Sequence, residues 1–348
     1  MNKVARIFLA ITLVALSFVG CVEDQIIILP DNGTEQPDDG KDDTGNEEPE
    51  PTPPNNDYPD TSWAAGELDW VFDMNTLPEI RISVTEEQWN TLLKEYDRDG
   101  NTAAYIHCDA EFRSKGKTHN FVDAGLRLRG NTSRRRPEGN GGEMHKRDNA
   151  DWHHCHFMLN LRKYQKDDAH ELHNVRKLHL KWHKDDRAYC RELYCYDLFR
   201  RFGIWTAAYS SYCRLWIHVE GDKEAAYYGV YEMIEAIDDK YVKKRKELFG
   251  DHQHNLWKCR WGATLNYNDI HNSSIHYDDD SGSNYTYELK SNIENFDAAK
   301  AQLIEFTKNL TQRSGKDFHD WIASVCDVRL LLRTYAVNVT VGMWDDYW

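Results

Sequence analysis

Prolines are distributed unevenly along this 348-residue chain, and their distribution restricts where a folded domain can lie. Seven of the nine prolines fall within residues 22–60, together with thirteen acidic residues, one lysine and a single aromatic side chain. A segment with so little apolar surface cannot offset the entropy lost on ordering it. We therefore expect residues 22–66 to form an extended acidic tether and residues 67–348 to contain the fold.

The first 21 residues have the pattern of an export signal. Two basic residues precede an apolar run over residues 7–19, which is shorter than the roughly 20 residues of a transmembrane helix. The run ends in Gly20-Cys21, which resembles a bacterial lipobox with a lipidated cysteine; an ordinary cleaved signal is the alternative. The next four residues loosely resemble the surface-export signal of Bacteroidetes lipoproteins. We expect an exported protein, lipid-anchored at Cys21 to the bacterial outer membrane on its periplasmic or surface face.

The charge distribution excludes one class of partner. The net charge is −15, but the acidic excess is concentrated in residues 22–60, so the body is only weakly acidic. Nucleic-acid binding requires a net basic face. We expect no nucleic-acid partner, and contact with a membrane through the lipid anchor only.

Hydrophobic periodicity predicts strands first and helices later. The predicted strands cover residues 79–85, 103–112, 121–129, 156–161 and 177–182, followed by a hairpin of 215–220 and 228–233. The predicted helices cover residues 85–93, opened by a capping box at Thr85, then 185–202, closed by Gly203, and 236–248, 291–313 and 318–337. This order predicts an α+β architecture with a strand-rich lobe over residues 67–235 and a helical lobe beginning at residue 236.

Four segments of the body resemble the CotH family of atypical, spore-coat-type protein kinases. Residues 125–133 read Gly-Leu-Arg-Leu-Arg-Gly-Asn-Thr-Ser, similar to the Arg-x-Arg-Gly-Asn-Ser-Ser signature of that family. The other matching segments are residues 191–203, 228–238 and 337–347, in the order that the family has them. The resemblance covers about residues 78–348. It implies a bilobal kinase-like fold that binds ATP with Mg²⁺ or Mn²⁺ and phosphorylates Ser or Thr of a protein substrate.

Candidate phosphate contacts come first from the predicted strand that ends at residue 129. Arg127 and Arg129 share one face of this strand, which leads into a turn at Asn131. Backbone N–H groups in such a turn can line a phosphate. Lys258 is a further candidate phosphate contact, and the basic run over residues 134–136 is another.

Kinases hold ATP phosphates with a strand lysine that pairs with a helix glutamate. Here the lysine is Lys177 or Lys181, and the glutamate is Glu192 on the following helix. Met158 occupies a position where the CotH family places a lysine. Glu232, near the expected lobe junction, completes the set of candidate nucleotide-binding residues.

The last residues carry the candidate catalytic groups. Trp344-Asp-Asp-Tyr347 is similar to a Trp-Asp-x-Tyr segment of the family, so Asp345 is expected to orient the substrate hydroxyl or contact metal, with Asp346 as the adjacent alternative. In the family a later Pro-x-Asp-x-Asp block supplies a metal ligand, which is expected here beyond Trp348. The second lobe is therefore expected to be truncated, and the chain as given to have little or no kinase activity.

Two other functions stay open. His153, His154 and His156, with further histidines downstream, suggest zinc chemistry, although no HExxH or CxxC motif accompanies them. The twelve Trp and nineteen Tyr residues would suit a non-catalytic cell-surface binding or adhesion lipoprotein, although core packing accounts for most of them. A kinase requires metal-dependent ATP binding, whereas a binding protein does not.

Overall fold

The computed structural model describes residues 67–99, 104–130, 133–249, 255–279 and 285–343. Cys21, Asn131, Asp345 and Asp346 lie outside the described residues, as do the expected signal and tether over residues 1–66. Within those described ranges, no helix has both the length and the apolar character needed to cross a membrane.

Seven strands close into a barrel in the order β1-β2-β3-β4-β5-β7-β6. They are β1 (Glu79–Val84), β2 (Ile106–Ser114), β3 (Lys117–Arg129), β4 (His156–Asn160), β5 (Lys177–Lys181), β6 (Ser210–Val219) and β7 (Ala226–Glu235). The β1–β6 pair is parallel and closes the barrel, and the other neighbouring pairs are antiparallel. Alternate side chains enter the barrel core, such as Ile80 and Ile82 of β1 and Leu215 and Ile217 of β6.

A smaller sheet follows the barrel and builds a core of its own. Its strands are β8 (Trp257–Cys259), β9 (Ile275–Tyr277) and β10 (Tyr287–Leu289), in the order β8-β10-β9. Trp257 and Leu289 pack there with Leu303 of a long helix. The helices of the described residues are α1 (Leu68–Val71), α2 (Glu86–Arg98), α3 (Arg191–Arg201), α4 (Asp239–Lys244), α5 (Lys246–Phe249), α6 (Tyr267–Ile270), α7 (Phe296–Gln312), α8 (Gly315–Val325) and α9 (Val328–Thr340).

The predicted α+β class is confirmed, and two helix-end signals act as the sequence indicates. Thr85 accepts the backbone N–H of Gln88 at 3.2 Å and so caps α2. Gly203 has a φ of 73° just beyond α3, the left-handed conformation that ends a helix at low cost.

The predicted start of α3 is wrong, for a reason that matters to the site. The helix begins at Arg191 instead of residue 185, because Asp185 and Tyr189 have left-handed φ values of 62° and 55°. Asp186 holds this turn by accepting backbone N–H groups with its carboxylate. A side chain that bonds to the nearby backbone thus competes with a helical conformation over residues 185–190.

Of the three helices predicted in the second half, two are divided in the structure, and the third, over residues 291–313, begins only at Phe296. The segment 236–248 divides into α4 and α5, and the segment 318–337 divides at Cys326-Asp327 between α8 and α9. The three strands of the small sheet were not predicted, because each has only three residues and too few alternations to show a period of two.

Candidate functional site

One face of the barrel carries a row of polar residues across five neighbouring strands. Arg129 of β3 pairs with His156 of β4, Lys181 of β5 pairs with Glu232 of β7, and Glu232 pairs with Tyr212 of β6. The β4–β5 register joins the two halves of the row, because Phe157 lies opposite Leu180 and places His156 next to Lys181. Side chains at directly paired positions share a face of the sheet. The row therefore brings cationic and anionic groups together at one end of the barrel.

Helix α3 adds a carboxylate to this row. Lys181 Nζ donates a hydrogen bond to Oε2 of Glu192, the second residue of α3. The side chain of Lys181 is only 4% exposed, and burial lowers its pKa although Glu192 acts in the opposite direction. Of the two candidate lysines, Lys181 is the one that forms the lysine–glutamate pair.

Two further cations lie near this region, and in the described part of the chain their side chains have no ion pair at contact distance. Arg129 on the barrel and Lys258 on β8 of the small sheet interact electrostatically, and neither side chain forms a hydrogen bond or salt bridge with the described residues, although Glu192 acts on Arg129 and Glu288 on Lys258. Burial and the neighbouring Arg260 and Lys290 lower the pKa of Lys258 to about 7. Burial also lowers the pKa of Arg129, although the carboxylate of Glu192 acts in the opposite direction. Partly buried cations without partners are costly unless an anion reaches them.

Two histidines on the same face remain neutral in this cationic surrounding. Burial, followed by Lys181 and Arg129, lowers the pKa of His156 to about 3. Burial together with Arg129 and Arg127 lowers the pKa of His179 well below its ordinary value. The site is therefore rich in positive charge because of its lysines and arginines, while its imidazoles add none near neutral pH.

Several predicted contacts lie elsewhere or have structural partners. Lys177, at the other end of β5, lies 3.7 Å from Asp238 and so does not form the pair with Glu192. Arg127 lies one row away from Arg129, with its guanidinium 5.2 Å above the Tyr105 ring. In the basic run over residues 134–136, Arg136 is 7% exposed and forms a salt bridge of 2.8 Å with Asp97.

The histidine group predicted as a zinc alternative does not converge. His154 stacks on Trp182, with ring centroids 3.6 Å apart, and its Nε2 bonds to the Tyr228 carbonyl. His156 instead accepts the backbone N–H of Trp182 with Nδ1 at 3.0 Å. His153 bonds to the carbonyl of Arg136. Each ring thus has a different packing role.

His156 and Lys258 show what sequence reasoning could and could not find. His156 was considered only as a zinc ligand, yet its period-two spacing from Met158 places it on the face that holds Arg129. The register between the two predicted strands, 121–129 and 156–161, could have revealed that His156 lies beside Arg129. The approach of Lys258 to Arg129 joins two sheets that are far apart in sequence, and no local pattern encodes such a contact.

The fold and this face together define an α+β barrel protein with a candidate anion-binding face, built around a strand–helix lysine–glutamate pair. The family model described as CotH kinase protein matches residues 126–348. The chain therefore belongs to the CotH kinase family. Among curated proteins and among solved structures, no match to the chain was found.

Proposed function

We propose that this protein is a CotH-type kinase homologue that binds the phosphates of ATP, together with Mg²⁺ or Mn²⁺, on the polar barrel face, in the arrangement that phosphoryl transfer to Ser or Thr of a protein requires. The observation that carries the proposal is the buried Lys181–Glu192 pair between a barrel strand and the following helix. The same pairing holds nucleotide phosphates in protein kinases. Family membership supports the proposal independently.

The residues of this face fit a polyphosphate. Arg129 and Lys258, from the barrel and the small sheet, interact electrostatically, and Glu192 and Glu288 act on them without a direct ion pair. A ligand with several anionic oxygens would offset the cost of burying both cations. In this arrangement the barrel corresponds to one lobe of a bilobal kinase-like fold, and the segment from residue 236 corresponds to the other.

Each residue of the site would have its own role. Lys181 would contact phosphate oxygens, and Glu192 would keep the lysine in place and charged. Arg129 and Lys258 would bind the remaining phosphate charge from two sides. Asp345, or the adjacent Asp346, would orient the substrate hydroxyl. ATP with its divalent cation supplies the transferable phosphoryl group when bound.

Thermal unfolding of the full chain with and without ATP and Mn²⁺ tests the nucleotide site. We expect ATP with Mn²⁺ to stabilise the chain, by about 2.7 kcal/mol at a ligand concentration of 100 Kd. Lys181→Met should remove most of this stabilisation, because it deletes the cation that Glu192 holds. Lys177→Met, at the other end of the same strand, is the matched control and should keep it.

Two outcomes would contradict the nucleotide site. Either the unmodified chain shows no response to ATP, or Lys181→Met responds as strongly as the unmodified chain. In both cases a non-catalytic surface-binding lipoprotein becomes the better interpretation of the fold.

The location of the protein is a separate proposal, supported by the sequence alone. We propose export and lipid attachment at Cys21, with the barrel held away from the outer membrane by the acidic segment over residues 22–66. Metabolic labelling with a radioactive fatty acid tests it, because Cys21→Ala should lose the label. Equal labelling of the variant would contradict lipidation at this position.

A further inference from the structure

Three side chains that could ligate a metal meet at the end of β5, beside the lysine–glutamate pair. They are His183 and Asp186 in the β5–α3 connection and Glu232 on β7. One donor atom from each, an imidazole nitrogen or a carboxylate oxygen, lies within 4.8 Å of the other two. His183 and Glu232 are buried, with side chains 1% and 3% exposed.

The hydrogen bond of His183 fixes which ring nitrogen carries its proton. Nε2 lies 3.2 Å from the carbonyl oxygen of Val230, and a carbonyl can only accept, so Nε2 carries the hydrogen of the neutral ring. Nδ1 then has a free lone pair. A backbone carbonyl that orients a histidine in this way is the usual support of a metal ligand.

The free nitrogen of His183 faces another acceptor. Nδ1 is enclosed without a hydrogen-bond partner in the described part of the chain, and it lies 3.5 Å from Oε1 of Glu232. A lone pair and a carboxylate oxygen at this distance repel each other unless a proton or a cation lies between them. A proton or a cation must therefore lie between the buried nitrogen and Glu232.

Asp186 is held in position by the backbone that precedes α3. Its Oδ1 accepts the N–H of Ala188 at 2.9 Å, and its Oδ2 accepts those of Cys190 and Arg191 at 2.9 and 2.8 Å. Three N–H bonds keep a carboxylate ionised and restrict its rotation. Oδ2 already accepts two of these bonds, whereas Oδ1 accepts one and keeps a lone pair that can bind a cation.

We propose that His183, Asp186 and Glu232 bind one divalent transition-metal cation, of the Zn²⁺ or Mn²⁺ class, distinct from the cation that accompanies ATP. One imidazole and two carboxylates favour these ions over Mg²⁺, which prefers oxygen ligands alone. With metal–ligand bonds of about 2.0–2.2 Å, the donors of a tetrahedral ion are about 3.4 Å apart, so separations of up to 4.8 Å would have to shorten by up to about 1.4 Å. Three protein ligands leave further positions for water.

The site links three parts of the fold that the nucleotide proposal uses. Asp186 bonds to the first residue of α3, and Glu192 is the second residue of that helix. Glu232 lies directly opposite Lys181 on the neighbouring strand. A bound cation would therefore clamp the start of α3 to β7 and hold Glu192 near Lys181. This positioning role does not require ATP, so the metal site stands or falls separately from the nucleotide site.

Metal titration of the full chain, without nucleotide, tests the site. After treatment with a chelator and dialysis, calorimetric titrations are made with Zn²⁺, Mn²⁺ and Mg²⁺. We expect one equivalent of Zn²⁺ or Mn²⁺ to bind more tightly than Mg²⁺ and to raise the unfolding temperature. His183→Gln and Glu232→Gln should each weaken binding by at least about tenfold, since loss of supporting groups alone costs 10–100-fold.

His154→Gln is the matched control. Like His183, His154 bonds to a backbone carbonyl of β7, that of Tyr228, but its ring stacks on Trp182. It should bind the metal as the unmodified chain does. Binding no tighter than that of Mg²⁺, or equal affinity in His183→Gln and the unmodified chain, would overturn the proposal. The gap between Nδ1 and Glu232 would then be bridged by a proton.

Lys181→Met separates this result from the nucleotide proposal. It should keep the metal affinity and lose the ATP response. If Lys181→Met and the unmodified chain both bind metal but neither responds to ATP, only the kinase proposal fails. If ATP stabilises the unmodified chain but metal does not bind to it, only the metal-site proposal fails.

Discussion

At the scale of single residues, the most consequential pair outside the candidate site is Glu235 with Arg245. Both side chains are at most 1% exposed, and two parallel hydrogen bonds of 2.8 and 3.0 Å join carboxylate and guanidinium. Lys244 adds a third contact at 2.8 Å. Burial alone would raise the pKa of Glu235, but Arg245 and Lys244 lower it to about 2. Although Glu235 lies in a segment that resembles the family, its contacts are those of a structural residue.

Glu235→Gln should therefore be strongly destabilising. It keeps the size of the side chain but leaves Arg245 buried without its countercharge, which typically costs about 3–5 kcal/mol. Urea unfolding followed by circular dichroism measures the loss. Asp197→Asn, which breaks the exposed pair with Arg201 on α3, is the control and should cost no more than about 1 kcal/mol.

The same substitution should also change how stability depends on pH. Because the folded-state pKa of Glu235 lies below its ordinary value of 4.5, its contribution is fully present above that value and is lost as pH falls towards about 2. The unmodified chain should lose stability over this window more steeply than Glu235→Gln does. Parallel acid-unfolding profiles of the two proteins would contradict the assigned role of the pair.

At the scale of elements, the sequence predicted some helix ends correctly and missed others. Thr85 and Gly203 were predicted correctly because their effects are local to the chain. The division of the segment 318–337 was missed, since its apolar residues continue with helical spacing across Cys326. Asp327 restarts the helix there by accepting the backbone N–H of Leu330 at 2.9 Å. A cap inside an apolar run can be recognised only when the preceding backbone is known to be extended.

Asp327→Ala should thus weaken α9 specifically. Loss of a side-chain cap at a helix N-terminus costs about 1 kcal/mol. Ser314 provides the comparison, because it occupies the same position before α8 but makes no capping bond with its side chain. Ser314→Ala should leave the free energy of unfolding nearly unchanged, and equal effects of the two substitutions in urea titrations would be inconsistent with a cap at Asp327.

At the scale of the whole molecule, the sequence indicated the α+β class and the strand–helix order, but not the closure of the barrel. Closure depends on the parallel pairing of β1 with β6. More than 120 residues separate these strands, and no local sequence pattern indicates that they pair. The candidate site was predictable where it is local, as for Lys181 and Glu192. It was not predictable where Lys258 of the small sheet meets Arg129 of the barrel.

This long-range meeting gives a prediction about ATP affinity and pH. Lys258 has a pKa of about 7 because it is buried near other cations, so it is mostly charged below that pH and mostly neutral above it. Phosphate binds the charged form more tightly. Affinity for ATP with Mn²⁺ should therefore fall as pH rises above 7, by at most about tenfold per unit.

Lys258→Met isolates this effect from the titration of ATP itself. The variant should bind more weakly than the unmodified chain at pH 6.5, and the difference should shrink towards pH 8.5, where Lys258 of the unmodified chain is mostly neutral. Lys308→Met, at an exposed position of α7, should follow the unmodified chain at every pH. Calorimetric titration at several pH values measures the curves. A constant ratio between the affinities of Lys258→Met and the unmodified chain would mean that the small sheet and the barrel do not share the phosphate site.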